Sequence, residues 1–290
     1  MRTSAARNGN YATAIHALVL GALVLGIAAT VIGIGANWPA LKPGWQPDGW
    51  KTLAIAAVAT TVLAALARWL GWPWRRLAIG AMAALAGAAA GADALAAFAL
   101  LAAGALQLGW LLLGRSTHPA VRSWPVAIAA GLAVMVGIVQ IAARIPVHCA
   151  LVYEVGMIAP FAFMPAHVRA RWSALWASTG SAPRPASIMT ATLWGIAYVG
   201  LAVRFLAALA PEVGMDALGM HLTMPGIVAR DHAWSPAASR FVWAWMPVAG
   251  DWVFALVYPI GGEGAARLAN WGADALVLVL ATSAALRWAG

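Results

Sequence analysis

The chain has 290 residues, of which 63% are hydrophobic and 9% charged, and its mean hydropathy is +0.81. That composition leaves too little polar surface for a water-soluble protein of this size and points to an all-α, polytopic membrane protein. The net charge of +9 excludes little by itself, but the basic residues lie between apolar runs and form no single face, so nucleic acid is not an expected partner. Cys149 is the only cysteine, so an intrachain disulfide and a thiolate metal cluster are both excluded.

After a polar start, residues 12–36 carry only His16 as a titratable group and are long enough to cross a hydrocarbon layer. The apolar part is too long for a signal peptide and further spans follow, so a first transmembrane helix is expected. Residues 37–51 are rich in Pro, Gly and Trp, the composition of an interfacial loop, and a second span covers about 52–70. The basic turn GWPWRR at 71–76 leads into an apolar block, 77–114, interrupted only by Asp93 and Gln107. As one helix that block would measure roughly 57 Å, almost twice a bilayer core, so it must reverse, and Gly91 to Asp93 is the expected place.

A fifth span is expected at 126–143 and a sixth, holding His148 and Glu154, at 147–164. The polar stretch 167–185 reads as a long basic loop, and a seventh span runs from 186 to 209. Residues 211–267 are mixed, with a short interfacial helix expected at 251–258, ended by Gly261-Gly262. An eighth span covers 268–288. Residues 1–186 thus form an N-terminal transmembrane region of about six spans, and 187–290 a large loop with two flanking spans.

Charge orients these eight spans. With the N-terminus cytoplasmic, Arg2, Arg7, Arg68, Arg75, Arg76, Arg115, Arg122, Arg169, Arg171, Arg184 and Arg287 fall inside, whereas the outer loops take Lys42, Lys51, Arg144, Arg230, Arg240 and Arg267 together with all the loop acids, Asp48, Asp93, Glu212, Asp216, Asp231, Asp251 and Glu263. Cytoplasmic loops are the ones enriched in Arg and Lys. The arrangement fits a bacterial inner-membrane protein with 211–267 on the periplasmic side. No internal repeat of the kind common in secondary transporters is visible.

Chemistry is expected in Pro211 to Pro225, PEVGMDALGMHLTMP. Asp216 is a carboxylate at the membrane face, suited to orient or deprotonate an acceptor, and His221 follows five residues later. On a helix five residues turn the side chains about 140° apart, so the two would approach a substrate from different sides instead of pairing directly. The alternative is that Asp216 is a helix N-cap and His221 an interfacial histidine. Arg204, near the outer end of the seventh span, either snorkels to the headgroups or binds a phosphate. Glu154 and Asp274 are intramembrane acids, paired structurally or part of the site. Asp231-His232 and Asp251 read as turn and surface chemistry. Trp234, Trp243, Trp245 and Trp252 suit either sugar stacking or interfacial anchoring. His148 and Glu154 are wrongly spaced for a metal pair, while a divalent metal at Asp216 is left open.

The stretch DALGMHLTMP, followed by Trp234, Pro236, an amphipathic segment and GGEGAARLANW before a final span, resembles the first-loop region of polytopic bacterial glycosyltransferases of the GT-C fold. The resemblance covers about Leu193 to Trp288. It implies transfer of a sugar from a polyprenyl-phosphate carrier, a lipid-linked sugar donor, to an acceptor on the outer face of the membrane. Asp216 takes the position of the catalytic acid, and His221, Arg204 and Glu154 become candidate substrate contacts. Met220 stands where the family has an aromatic, and the family continues through several more helices, so the chain reads as the N-terminal portion of such an enzyme or a truncated relative. The alternatives are a non-enzymatic membrane subunit or scaffold, with protein partners unspecified, and, third, a transporter.

Overall fold

The computed structural model describes residues 54–55, 58–59, 61–62, 65–66, 69–71, 73–114, 116, 123–180, 188–211, 221–235 and 249–289. Residues 56–280 form one compact unit; 1–55 and 281–290 form a second, whose described residues are helical. Every regular element among the described residues is a helix. In chain order these are α1 (Trp74–Ala89), α2 (Ala92–Leu113), α3 (Trp124–Ile141), α4 (Ala150–Ile158), α5 (Ala166–Ser178), α6 (Ile188–Leu209), α7 (Thr223–Asp231) and α8 (Ala249–Ala289), with a 3-10 turn at Ala159–Ala162 between α4 and α5.

The reversal expected near residue 91 is present. Gly91 has φ 100°, which only glycine adopts without strain, and it turns α1 back into α2. α2 and α3 then pack against each other through small residues. A side chain on Gly109 would overlap the carbonyl of Ala127, and one on Gly131 would overlap the carbonyl of Ala105. The two contacts are reciprocal across an antiparallel pair, so the backbones touch where both helices have shed their side chains, as membrane helices do. Gly104 admits the backbone of Met157 in the same way and seats α4 against α2.

α4 and its 3-10 turn meet α5 at 105°. Gln107, fully buried in α2, holds that corner: its Nε2 donates to the carbonyls of Pro160 (3.2 Å) and Phe163 (2.9 Å), and its Oε1 accepts from Trp172 Nε1 (2.8 Å). Pro160 and Pro165 supply the break in the helical ladder, and Gln107 satisfies the carbonyls the break sets free. The stretch expected as a basic loop from 167 is therefore helical as far as Ser178.

α8 is broken at Gly262 (φ 63°, ψ −157°), three residues after Pro259, where the paired glycines were expected to end an element. Gly261 and Gly264 lie against Ala90, Asp93 and Ala94 at the α1–α2 corner with no room for a side chain. Beyond the break α8 runs antiparallel to α6. Arg267 Nη1 donates to Ala208 O, Trp271 Nε1 to Leu201 O, both at 3.0 Å, and Arg204 binds Asp274. Before the break, Trp252, Leu256 and Val257 are buried in the main core with Met157, Phe205 and Leu268. The segment expected to lie at the interface is a core helix.

α2 (22 residues) and α3 (18 residues) are long and apolar enough to cross a bilayer, and α4 with α5 would add a third, bent span. The outward faces carry Ile138, Ile141, Leu151, Val155 and Phe163, each more than half exposed, which is compatible with contact with lipid. The spans expected at 12–36 and 52–70 fall wholly or largely outside the described residues.

Candidate functional site

Asp251 enters α8 in its first turn, where a carboxylate complements the positive end of the helix dipole. Its side chain is nevertheless almost buried, at 11% exposure, and needs a partner. His221 supplies it from just before α7, with Nδ1 2.7 Å from Asp251 Oδ1. Burial pushes the Asp251 carboxyl above the usual carboxylate range, and the hydrogen bond and charge of His221 oppose that shift. A carboxylate can only accept, so Nδ1 carries the proton and Nε2 of the half-exposed ring is left to meet a ligand.

The next residue, Trp252, roots the pair in the core. Its ring lies 5.4 Å from that of His148, centroid to centroid. His148 is 1% exposed. Its Nε2 donates to Ala142 O at 2.9 Å, which leaves Nδ1 to accept from Tyr153 Oη at 2.6 Å. His148 N also donates to His232 O at 3.1 Å, and His232 Nδ1 lies 3.2 Å from His148 O. His232 ends α7 with φ 54°, and two residues on Trp234 N donates to Ala143 O. α7 is thereby strapped across the ends of α3 and α4, and His221 is presented on one side of it.

The described sequence-derived candidates have different partners. Asp216 lies outside the described residues, so neither its role as the acid nor a divalent metal beside it can be placed. His221 is brought to Asp251. Arg204 on α6 is held by Asp274 of α8, with Nε and Nη2 at 2.9 and 2.8 Å from one carboxylate oxygen. Glu154 makes no hydrogen bond or ion pair with a described residue. Trp234 and Trp252 are buried and cannot stack on a sugar, while Trp243 and Trp245 lie outside the described residues. Among the described residues no cluster of three or more His, Cys, Asp or Glu could hold a metal.

Asp251 differs most from its expectation: it is a buried partner of a histidine thirty positions earlier, not a surface acid. Its position at the head of an amphipathic segment was a signal for a helix start, but nothing local names His221. Asp231, by contrast, keeps the surface role expected of it, exposed and paired with Arg230.

Comparison with known protein families, with curated proteins and with solved structures finds no match.

Proposed function

We propose that the chain is a multi-pass membrane glycosyltransferase of the bacterial inner membrane, with about eight spans and its site on the outer face. It moves a sugar from a polyprenyl-phosphate carrier to an acceptor. The observation that carries this reading is the His221–Asp251 pair, whose histidine follows Asp216 by five residues in the chain and which lies in the segment that the charge pattern expects on the outer face. An acceptor hydroxyl attacks the anomeric carbon, the bond from that carbon to the phosphate oxygen breaks, and the hydroxyl proton passes to a base. Asp216 orients or deprotonates the acceptor. His221, oriented through Nδ1 by Asp251, offers the lone pair of Nε2 to take the proton, and the imidazolium so formed can donate it from Nε2 to the departing phosphate.

The test is sugar transfer by the protein in proteoliposomes, supplied with a panel of radiolabelled polyprenyl-phosphate sugars. Asp216→Asn should abolish transfer, and His221→Ala should lower it by about 10²-fold or more. Transfer by Asp216→Asn equal to the wild type would remove the assignment.

A non-enzymatic membrane subunit is the second reading. It is favoured by the way Gln107, His148 and the Arg204–Asp274 pair spend their polar groups on holding helices together. It expects a stoichiometric complex from native membranes and no effect of Asp216→Asn on its assembly.

A further inference from the structure

We propose that α5 lies flat in the membrane interface, where Arg75, Arg76, Arg169 and Trp176 form a docking surface for the headgroups of an anionic lipid leaflet. The inference is independent of glycosyl transfer. It rests on α1 and α5, which carry none of the candidate-site residues.

α5 has 13 residues, about 20 Å of helix, too short to cross a ~30 Å hydrocarbon core by itself. It leaves α4 at 105°, and α4 packs along α2 through Met157 and Gly104. If α2 crosses the bilayer, α5 runs nearly parallel to the membrane plane. One face of α5 is spent on the C-terminal end of α2: Val168 is fully buried with Leu106, Trp110 and Ala127, and Trp172 stacks edge-on to Trp110 at 5.2 Å. Arg171 Nη2 donates to Gly114 O on that side. The other face, with Arg169, Ser173 and Trp176, is exposed.

The charges at this end do not serve the helices that bear them. α1 carries Arg75 and Arg76 in its first turn and α5 carries Arg169 and Arg171 in its first half, where the helix dipole disfavours cations, and neither has a basic residue in its last turn. The arginines of α1 instead reach α5. Arg76 Nε donates to Thr179 Oγ1 (3.1 Å) and Nη2 to Trp176 O (3.3 Å), its guanidinium lies 5.0 Å from the Trp176 ring, and Arg75 Nη1 donates to Ser178 O (3.4 Å). These contacts gather two arginines and a 66%-exposed tryptophan on one surface. The Arg169 guanidinium adds an exposed cation with no hydrogen bond or ion pair to a described residue.

No acid lies on α5, in the first turn of α1 or among the described residues of the α2–α3 connection. Trp69 and Trp124, near the starts of α1 and α3, are exposed at the same end, at 81% and 38%. Exposed tryptophan beside arginine is the chemistry of the plane where headgroup phosphates meet acyl chains. Phosphate accepts from arginine at two oxygens at once, which is why the surface suits headgroups and not only the aqueous field.

Two measurements on the full chain test this. With Cys149→Ala as background, a nitroxide on Ser173→Cys in nanodiscs containing phosphatidylglycerol should report a depth at the phosphate level. A depth at the bilayer centre would make α4 and α5 one bent span and overturn the proposal. In native mass spectrometry from mild detergent, phosphatidylglycerol should stay bound in preference to phosphatidylcholine. Arg169→Ala should reduce that retention about fivefold, and Arg169→Lys, which keeps the charge but loses the two-oxygen grip, should reduce it less. Equal retention of the two lipids, no change in Arg169→Ala, or displacement of the lipid by inorganic phosphate would each overturn it.

Discussion

His221 Nδ1 and Asp251 Oδ1 lie 2.7 Å apart, joining the segment before α7 to the first turn of α8 across thirty residues. The carboxylate is buried and the imidazole half exposed, so the acid anchors the ring and the ring faces outward. This asymmetry sets what each substitution should do.

His221→Ala leaves a nearly buried carboxylate without its hydrogen-bond donor. Discounted for the exposure of the imidazole, the loss should be about 1–2 kcal/mol, read as a lower melting temperature in detergent at neutral pH. The substitution also removes both effects that hold the Asp251 pKa down, so the carboxyl should titrate higher still. An unchanged melting temperature would mean that the pair contributes nothing to the fold.

Asp251 sets a pH dependence whose sign follows from its raised pKa. Below the unfolded-state value both states are protonated and the burial penalty is absent. As pH rises from there through the folded value, the unfolded chain loses its proton first, so stability falls. Asp251→Asn cannot ionise and keeps the shape of the acceptor. Its melting temperature minus that of the wild type should therefore rise across that window and level off above it. A difference that stays flat from pH 3 to 7 would contradict the raised pKa.

Gln107 binds two carbonyls and one indole N–H at the corner between α4 and α5. Gln107→Leu fills the same space but orphans all three groups, at a cost on the order of 1–3 kcal/mol each. Trypsin should then cut after Arg169 or Arg171 faster in the variant than in the wild type, because α5 loses its hold on α2. Equal cutting rates would show that the hydrophobic contacts of Val168 and Trp172 suffice.

Gly109 and Gly131 set the approach of α2 to α3. Since a methyl group at either position would meet backbone and not a movable side chain, Gly109→Ala and Gly131→Ala should each cost more than the about 1–3 kcal/mol of ordinary overpacking. Gly137, which has open space around it, is the control, and Gly137→Ala should leave the melting temperature nearly unchanged or raise it. Tolerance of both buried alanines would mean that the helices are less closely packed.

Composition and local pattern by themselves determined that the chain is helical and apolar, where α2, α3 and α6 run to within a few residues, and that the block after residue 77 reverses at Gly91. Each of these follows from interactions within a helical turn or from bilayer thickness, which neighbouring residues encode. Tertiary structure decided the rest. Asp251 reads as a surface acid until the fold brings His221 to it; Arg204 reads as a snorkelling cation or a phosphate contact, and only the fold shows Asp274 of α8 laid beside it; and 167–178 reads as a loop because Gln107, which satisfies its corner, lies some fifty residues earlier. Buried polar groups must find partners, but hydrogen-bond geometry does not constrain how far along the chain those partners sit, so only the packed helices name them.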